Sequence, residues 1–137
     1  MKNNTPPAAF SLTTYYFEKV IMDLSHAPNK DLSISFEPKG HFDADHAIYN
    51  LFFSVKISCN GVEEPFIEVG CKGVYTFQNV ANKESIPDYF YNNSIAILFP
   101  YVRAYVSMIT TQANIPGIIL PTLNLSSLGS GLKKRTE

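Results

Sequence analysis

Apolar and polar residues alternate along FSLTTYYFEKVIMD, residues 10–23, with Phe10, Leu12, Thr14, Tyr16, Glu18, Val20 and Met22 on one side and Tyr15, Phe17 and Ile21 on the other. Successive side chains of a strand point to opposite faces, so the run predicts a long strand with apolar groups on both. A strand buried on one face only would carry polar residues on the second, which is therefore expected to meet another surface, such as a second subunit. SHAPNKD breaks the strand. DLSISFE, residues 31–37, repeats the period with Leu32, Ile34 and Phe36 inward and Ser33, Ser35 and Glu37 outward. In YNLFFSVKISCNGVEEPFIEVGCKGVYTF, Asn60 and Gly61 are residue types that accept the positive φ angles of a tight turn, and alternating runs flank them. That combination predicts a hairpin. Leu51, Phe53, Val55, Ile57 and Cys59 share a face of its first strand; Ile67, Val69 and Cys71 share one of its second, where Gly70 and Gly73 permit a bend or bulge. Four strands in succession on short connections predict an antiparallel sheet.

From about Ser94 the spacing changes to threes and fours, through Ile95, Leu98, Phe99, Val102, Tyr105, Val106, Ile109 and Ala113. This is the stripe of an amphipathic helix, which packs on the sheet and makes the fold α+β. Pro100 has no backbone N–H, so a break near Leu98 is expected, with the regular helix starting around the proline. Beyond Asn114, Pro116 and Pro121 with Gly117 between them disfavour helix in IPGIILPTLNLSSL, although six of the residues from Ile115 to Leu125 are Ile or Leu. An apolar extended loop of this kind needs cover from its own fold, a partner subunit or a ligand. Residues 1–9 read as a flexible N-terminus, 10–128 as one domain, and 129–137, GSGLKKRTE, as a disordered basic tail.

Composition narrows the function classes. A chain of 137 residues with 45% hydrophobic content fills one core. Eleven basic side chains nearly cancel twelve acidic ones, which argues against nucleic acid as a partner. Eight Tyr and ten Phe without Trp suggest a surface that uses rings. Cys59 and Cys71, the only cysteines, read as small buried apolar groups. MKNNTPPAAF has no hydrophobic signal core, so a cytoplasmic location is expected. Pro100, Arg103 and TTQAN interrupt the longest apolar stretch, and no membrane insertion is expected.

Candidate chemistry is sparse. HFDADH brings His41, Asp43, Asp45 and His46 together, but a charged loop between strands with no Cys pair or helical HExxH spacing is a poor metal site. His26 beside a proline turn reads as a loop residue. Phosphate-binding Gly-rich loops, the GxSxG elbow and CxxC are missing, and Glu63 with Glu64 reads as a solubilising hairpin tip. No enzymatic activity, catalytic residue, metal or cofactor is expected.

ILFPYVRAYVSMI followed by IPGIILPTLNLSSL resembles the SecB family of export chaperones. Phe99, Pro100, Tyr101 and Arg103 fit the family's helix-start motif, and Pro116, Leu120, Asn124 and Leu128 keep the register of its loop. EPFIEVGCKGVYTF resembles the family's fourth strand through Glu68, Val69, Gly73 and Phe77, and FSLTTYYFEKV its first, so the likeness spans residues 10–128. It implies a dimer of dimers that binds unfolded polypeptide clients in hydrophobic grooves without ATPase activity. Client contacts would come from Tyr101, Val102 and Tyr105 on the helix, where a core role competes, and from Ile115, Ile118, Ile119, Leu120, Leu123 and Leu125 on the loop. Asp23, Phe66 and Glu68 fall where the family docks the translocase motor SecA, with Lys19 in a place the family makes acidic. The family's second long helix and acidic tail are replaced by GSGLKKRTE. Three functions stay open: an ATP-independent holdase serving export, a dedicated chaperone of one client such as the antitoxin of a toxin–antitoxin pair, and a small-molecule-binding or enzymatic α+β module using the apolar cleft.

Overall fold

The structure, a computed structural model, describes residues 8–26 and 31–137. The flexible stretch expected over residues 1–9 lies outside the described residues as far as Pro7, and Ala9 already belongs to a strand; residues 27–30 of the expected strand break and the side chain of His26 also lie outside. Four strands, β1 (Ala9–Met22), β2 (Leu32–Asp43), β3 (Ile48–Cys59) and β4 (Ile67–Gln78), form one sheet in the order β1-β4-β3-β2, antiparallel throughout. The first strand thus pairs with the last, and the chain crosses the width of the sheet before β2.

The hairpin expected at Asn60–Gly61 joins β3 to β4. Only Gly61 in that turn takes a positive φ, at 83°, and the Val62 N–H closes it on the Cys59 carbonyl at 2.9 Å. One strand face is buried: Tyr49, Leu51, Phe53, Val55, Ile57 and Cys59 on β3, and Ile67, Val69, Cys71, Tyr75 and Phe77 on β4. The glycines of β4 do not make the bulges expected there. Register shifts fall on β1, between Leu12 and Thr14 and between Phe17 and Lys19. Each extra residue exchanges the faces of the strand positions beyond it, so Tyr15, Phe17, Val20 and Met22 continue the inward face begun by Phe10 and Leu12, while Tyr16, Lys19 and Ile21 look outward. Gly73 serves another purpose: a Cβ there would press on both Leu98 methyls at 3.3 Å, so its absence lets the helix approach β4.

Helix α1 (Asp88–Gln112) is one continuous 25-residue element across the inward face, not broken near Leu98. Phe90 and Tyr91 extend the buried stripe N-terminally, and Pro100 is exposed, so its missing N–H deprives only the Ala96 carbonyl. The full length also makes α1 long and apolar enough for a membrane span by composition, contrary to expectation, but its apolar stripe is turned to the sheet. Asn114, φ 62°, ends it in the left-handed conformation, with Ile115 N–H bonding the Thr110 carbonyl and Asn114 N–H the Thr111 carbonyl.

The disordered tail expected over 129–137 is ordered. Asn124 caps a second helix, α2 (Leu125–Lys134), by accepting the Ser127 N–H at 3.2 Å. Leu125, Leu128 and Leu132 make its inward stripe, and Gly129 meets Asn92 of α1 so closely that a Cβ would overlap the Asn92 amide. Lys133 Nζ pairs with Asp88 at 2.6 Å. Thr136 and Glu137 then run parallel to the outer edge of β2: Phe42 N–H bonds the Glu137 carbonyl at 2.8 Å, Glu137 N–H the Gly40 carbonyl at 3.0 Å, and the Tyr49 and Thr136 hydroxyls meet at 2.6 Å. Small residues that read as a flexible composition are the means of close helix packing. Gly129→Val is therefore expected to unseat α2 and lower unfolding stability by about 1–3 kcal/mol in urea denaturation, whereas Ser130→Ala on the exposed side should change little.

Candidate functional site

The crossover from Ile115 to Asn124 joins α1 to α2 as an extended chain. Thr110 of α1, fully buried, fixes it: its hydroxyl donates to the Val106 carbonyl at 2.8 Å and accepts the Ile118 N–H at 3.0 Å. Extended geometry then alternates the side chains. Ile118 and Leu120 enter the core, Ile119 between them is 78% exposed, and Ile115, Leu123 and Leu125 are half-buried.

A cleft of about 250 Å³ opens between α1 and the end of the crossover, lined by Ala96, Phe99, Pro100, Arg103, Thr122, Leu123 and Leu125. The opposite flank of α1 faces β1. There Tyr101, 43% exposed, stacks on Tyr15 with centroids 4.3 Å apart, and half-buried Tyr105 stacks on Phe17 at 3.8 Å, with Ile97 and Met108 exposed nearby on the same flank.

The residues expected to contact clients therefore separate into three groups. Val102 is fully buried and belongs to the core, as do Ile118 and Leu120, because the stripe and the inward side of the crossover must first seat themselves on the sheet. Leu123 and Leu125 line the cleft, while Ile119 is exposed on the crossover and Ile115 is half-buried where the crossover begins. Tyr101 and Tyr105 lie across the helix from it. Ala96, Pro100 and Arg103 were not singled out for this role; the signal available was the recurrence of 96, 100 and 103 on one helix flank beside a proline.

The docking trio separates as well. Phe66 is 1% exposed, packed as β4 begins, and offers no side chain to a partner. Glu68 lies on the outward sheet face between Lys19 at 3.3 Å and Lys56 at 4.0 Å, so its charge is neutralised locally. Asp23, just past β1, accepts the Ser25 N–H at 3.0 Å and the Ser25 hydroxyl at 2.5 Å. Farther along the outward face of β4, Lys72 stands over the rings of Tyr16 and Phe52 at 5.7 and 5.5 Å.

In HFDADH, His46 Nδ1 bonds Asp43 Oδ2 at 2.8 Å and the Asp45 N–H bonds Asp43 Oδ1 at 3.1 Å, an arrangement that closes the β2–β3 turn. The hydrogen bond from His46 lowers the Asp43 pKa, and the same bond followed by the carboxylate charge raises that of His46. Burial, then the charge of Glu18, pushes the Cys71 thiol up to about 12, which keeps it neutral and unreactive.

A four-stranded antiparallel sheet carrying one long helix, a proline-broken crossover and an apolar cleft beside it defines a protein of the SecB type. A family profile described as preprotein translocase subunit SecB matches residues 9–133, and the chain belongs to this family, one of chaperones and not of enzymes. Similar chains include an uncharacterized protein of Methanocaldococcus jannaschii, 27% identical over 96% of this chain and 90% of that one, and the protein-export protein SecB of Magnetococcus marinus, 27% identical over 87% and 81%. The same fold is seen in the Mycobacterium tuberculosis SecB-like chaperone in complex with a ChAD peptide from the HigA1 antitoxin, with a TM-score of 0.63, 16% identity, and coverage of 84% of this chain and 91% of that one.

Thr110→Val keeps the shape but leaves the buried Ile118 N–H without its acceptor; a stability loss of about 1–3 kcal/mol is expected, with faster hydrogen exchange at Ile118 than in wild type. For the turn, the raised His46 pKa means that its pair with Asp43 stabilises fully below the ordinary histidine value near 6.5 and fades as pH climbs through the raised value. NMR titration should place the His46 midpoint above 6.5, and Asp43→Asn should return it toward 6.5.

Proposed function

We propose that this protein is an ATP-independent holdase that binds unfolded or precursor polypeptides along the crossover and the cleft beside α1. The observation that carries the reading is Ile119, 78% exposed on a chain segment held at its neighbours by burial and by Thr110. An apolar side chain displayed on an anchored, extended segment costs little ordering entropy when a client arrives. Non-directional burial, at roughly 25 cal/mol per Å², then rewards any greasy segment of a client, and no nucleotide is needed to drive it. Because such a surface binds the unfolded state preferentially, it slows aggregation by mass action.

Self-association belongs to the same reading. Among the described residues one edge of β1 has no strand beside it, and Tyr15, Ile97, Tyr101 and Met108 are exposed on that side of the molecule. A dimer of dimers would cover these groups and pair the open edge. The working place of such a protein is the cytoplasm.

Two client regimes remain. Relatives named protein-export protein SecB favour precursors destined for export. The burial of Phe66 and the lysines around Glu68 favour instead a chaperone dedicated to one client, an antitoxin among the candidates, with delivery to a SecA motor dispensable.

The test is suppression of aggregation of a slowly refolding polypeptide without nucleotide. Wild-type protein should suppress it, and Ile119→Ser with Leu123→Ser should weaken client affinity by roughly fivefold per residue, about 1 kcal/mol each, with fold and oligomer retained in circular dichroism and light scattering. Ile118→Ser or Leu120→Ser should instead destabilise the fold, by about 2–5 kcal/mol. Wild-type protein without suppression would remove the reading.

A further inference from the structure

We infer that the outer edge of β2 from Leu32 to Phe36 takes up a client segment as an added strand; this rests on the holdase reading above and supplies its backbone component. The same edge already pairs once, with the chain's own residues. Gly40 donates its N–H to the Arg135 carbonyl at 3.2 Å and accepts the Glu137 N–H at 3.0 Å, and Phe42 donates to the Glu137 carbonyl at 2.8 Å. Bonding direction alternates along a strand, so the N–H and C=O groups that point away from β3 belong to Leu32, Ile34, Phe36, Pro38, Gly40 and Phe42. Residues 135–137 occupy the last two. Pro38 has no N–H, and its carbonyl accepts from Arg135 Nε at 3.0 Å. Leu32, Ile34 and Phe36 are left, and among the described residues nothing bonds their outer backbone groups. Burial divides the strand at the same place: Pro38 and Gly40 are buried, whereas Leu32, Ile34 and Phe36 are half-buried.

Edges that are kept from pairing are interrupted by bulges, prolines or lysines. The edge of β1 is cut into short pieces by its two bulges. β2 instead holds one register with β3 from Leu32 to Asp43, and as far as Pro38 its solvent side carries only Ser33, Ser35 and Glu37. The open part of β2 is therefore the more continuous template for a foreign strand. Its side chains suit an apolar segment, since Leu32, Ile34 and Phe36 pack against the core while still partly exposed. Phe36 also meets Phe99, a wall of the cleft, edge-on at 5.8 Å. A strand added here bonds through the main chain, which every client has whatever its sequence. Alternate side chains of that strand fall on the side of the sheet where Phe36 and Phe99 meet.

Amide hydrogen exchange of the isotope-labelled protein, read by NMR, tests this with a synthetic peptide of about ten residues that alternates Val and Thr. In the free protein the Ile34 and Phe36 amides should exchange quickly and the Phe42 amide slowly. Saturating peptide should slow Ile34 and Phe36 by about tenfold or more and leave Phe42 unchanged. Ile34→Pro removes an outward N–H that β3 does not use, so it should bind the peptide about fivefold more weakly than Ile34→Ala, which loses apolar contact but keeps the N–H. Where Ile34→Pro does not fold, the exchange measurement decides alone. Peptide binding with unchanged exchange at Ile34 and Phe36, protection along β1 in their place, or equal affinity of the two folded variants would overturn strand addition at this edge and leave the holdase reading standing. A peptide that does not bind also overturns strand addition, and the holdase reading falls with it only when suppression of aggregation fails as well.

Discussion

The burial of one stripe of α1 on the inward faces of β3 and β4 is the interaction on which the rest of the molecule depends. Phe90, Tyr91, Ile95, Leu98, Phe99, Val102 and Val106 leave solvent there, at about 1.5–3 kcal/mol each as an upper range, whereas α2 contributes only Leu132 as a fully buried apolar side chain. Position of the helix is further set by edge-on rings, Phe90 against Tyr49 at 4.7 Å and against Tyr75 at 5.5 Å, and by the Tyr75 hydroxyl on the Ser94 carbonyl at 2.5 Å. A helix held this firmly leaves two flanks whose residues cannot reach the core, and those flanks are where partners can be met.

The crossover inherits its character from that seating. Prolines at 116 and 121 keep it from continuing the helix, and the Thr110 hydroxyl ties it back, so it runs extended with alternate side chains in and out. Ile118 and Leu120 anchor the segment that displays Ile119. The same local geometry thus supplies both stability and an exposed apolar surface, which a helix of equal composition would have turned wholly toward the core. Binding of unfolded chains asks for area and tolerance, and a pre-ordered extended segment provides them at low entropic cost.

Charge is arranged by location even though the chain as a whole is nearly neutral. On the outward sheet face, Lys19 and Lys56 enclose Glu68, and Lys72 sits between Tyr16 and Phe52. On the cleft side, Arg103 has no ion pair among the described residues and stands beside Phe99, Leu123 and Leu125. A near-zero net charge therefore hides two local fields that differ in character, one internally balanced and one not.

Period-two alternation, the Asn60–Gly61 turn and the stripe through Val106 were enough to determine an α+β fold with four antiparallel strands and a long helix, since those signals depend on local geometry and on a simple division between inside and outside. The helix-start and crossover motifs were enough to indicate the family. Local signals were silent on the two bulges of β1, which exchange its faces only because pairing with β4 demands them, and on β1 lying next to β4 at all. Pro100 signalled a break that the packed stripe overrides, and Gly129 and Gly131 signalled disorder where Asn92 and Leu132 create a docked helix. Which apolar residues of the crossover are core and which are surface depended on the hydrogen bond that the Ile118 N–H donates to the Thr110 hydroxyl, eight positions away. Tertiary structure alone decided that, because burial is a property of what the rest of the chain places beside a residue and not of the residue itself.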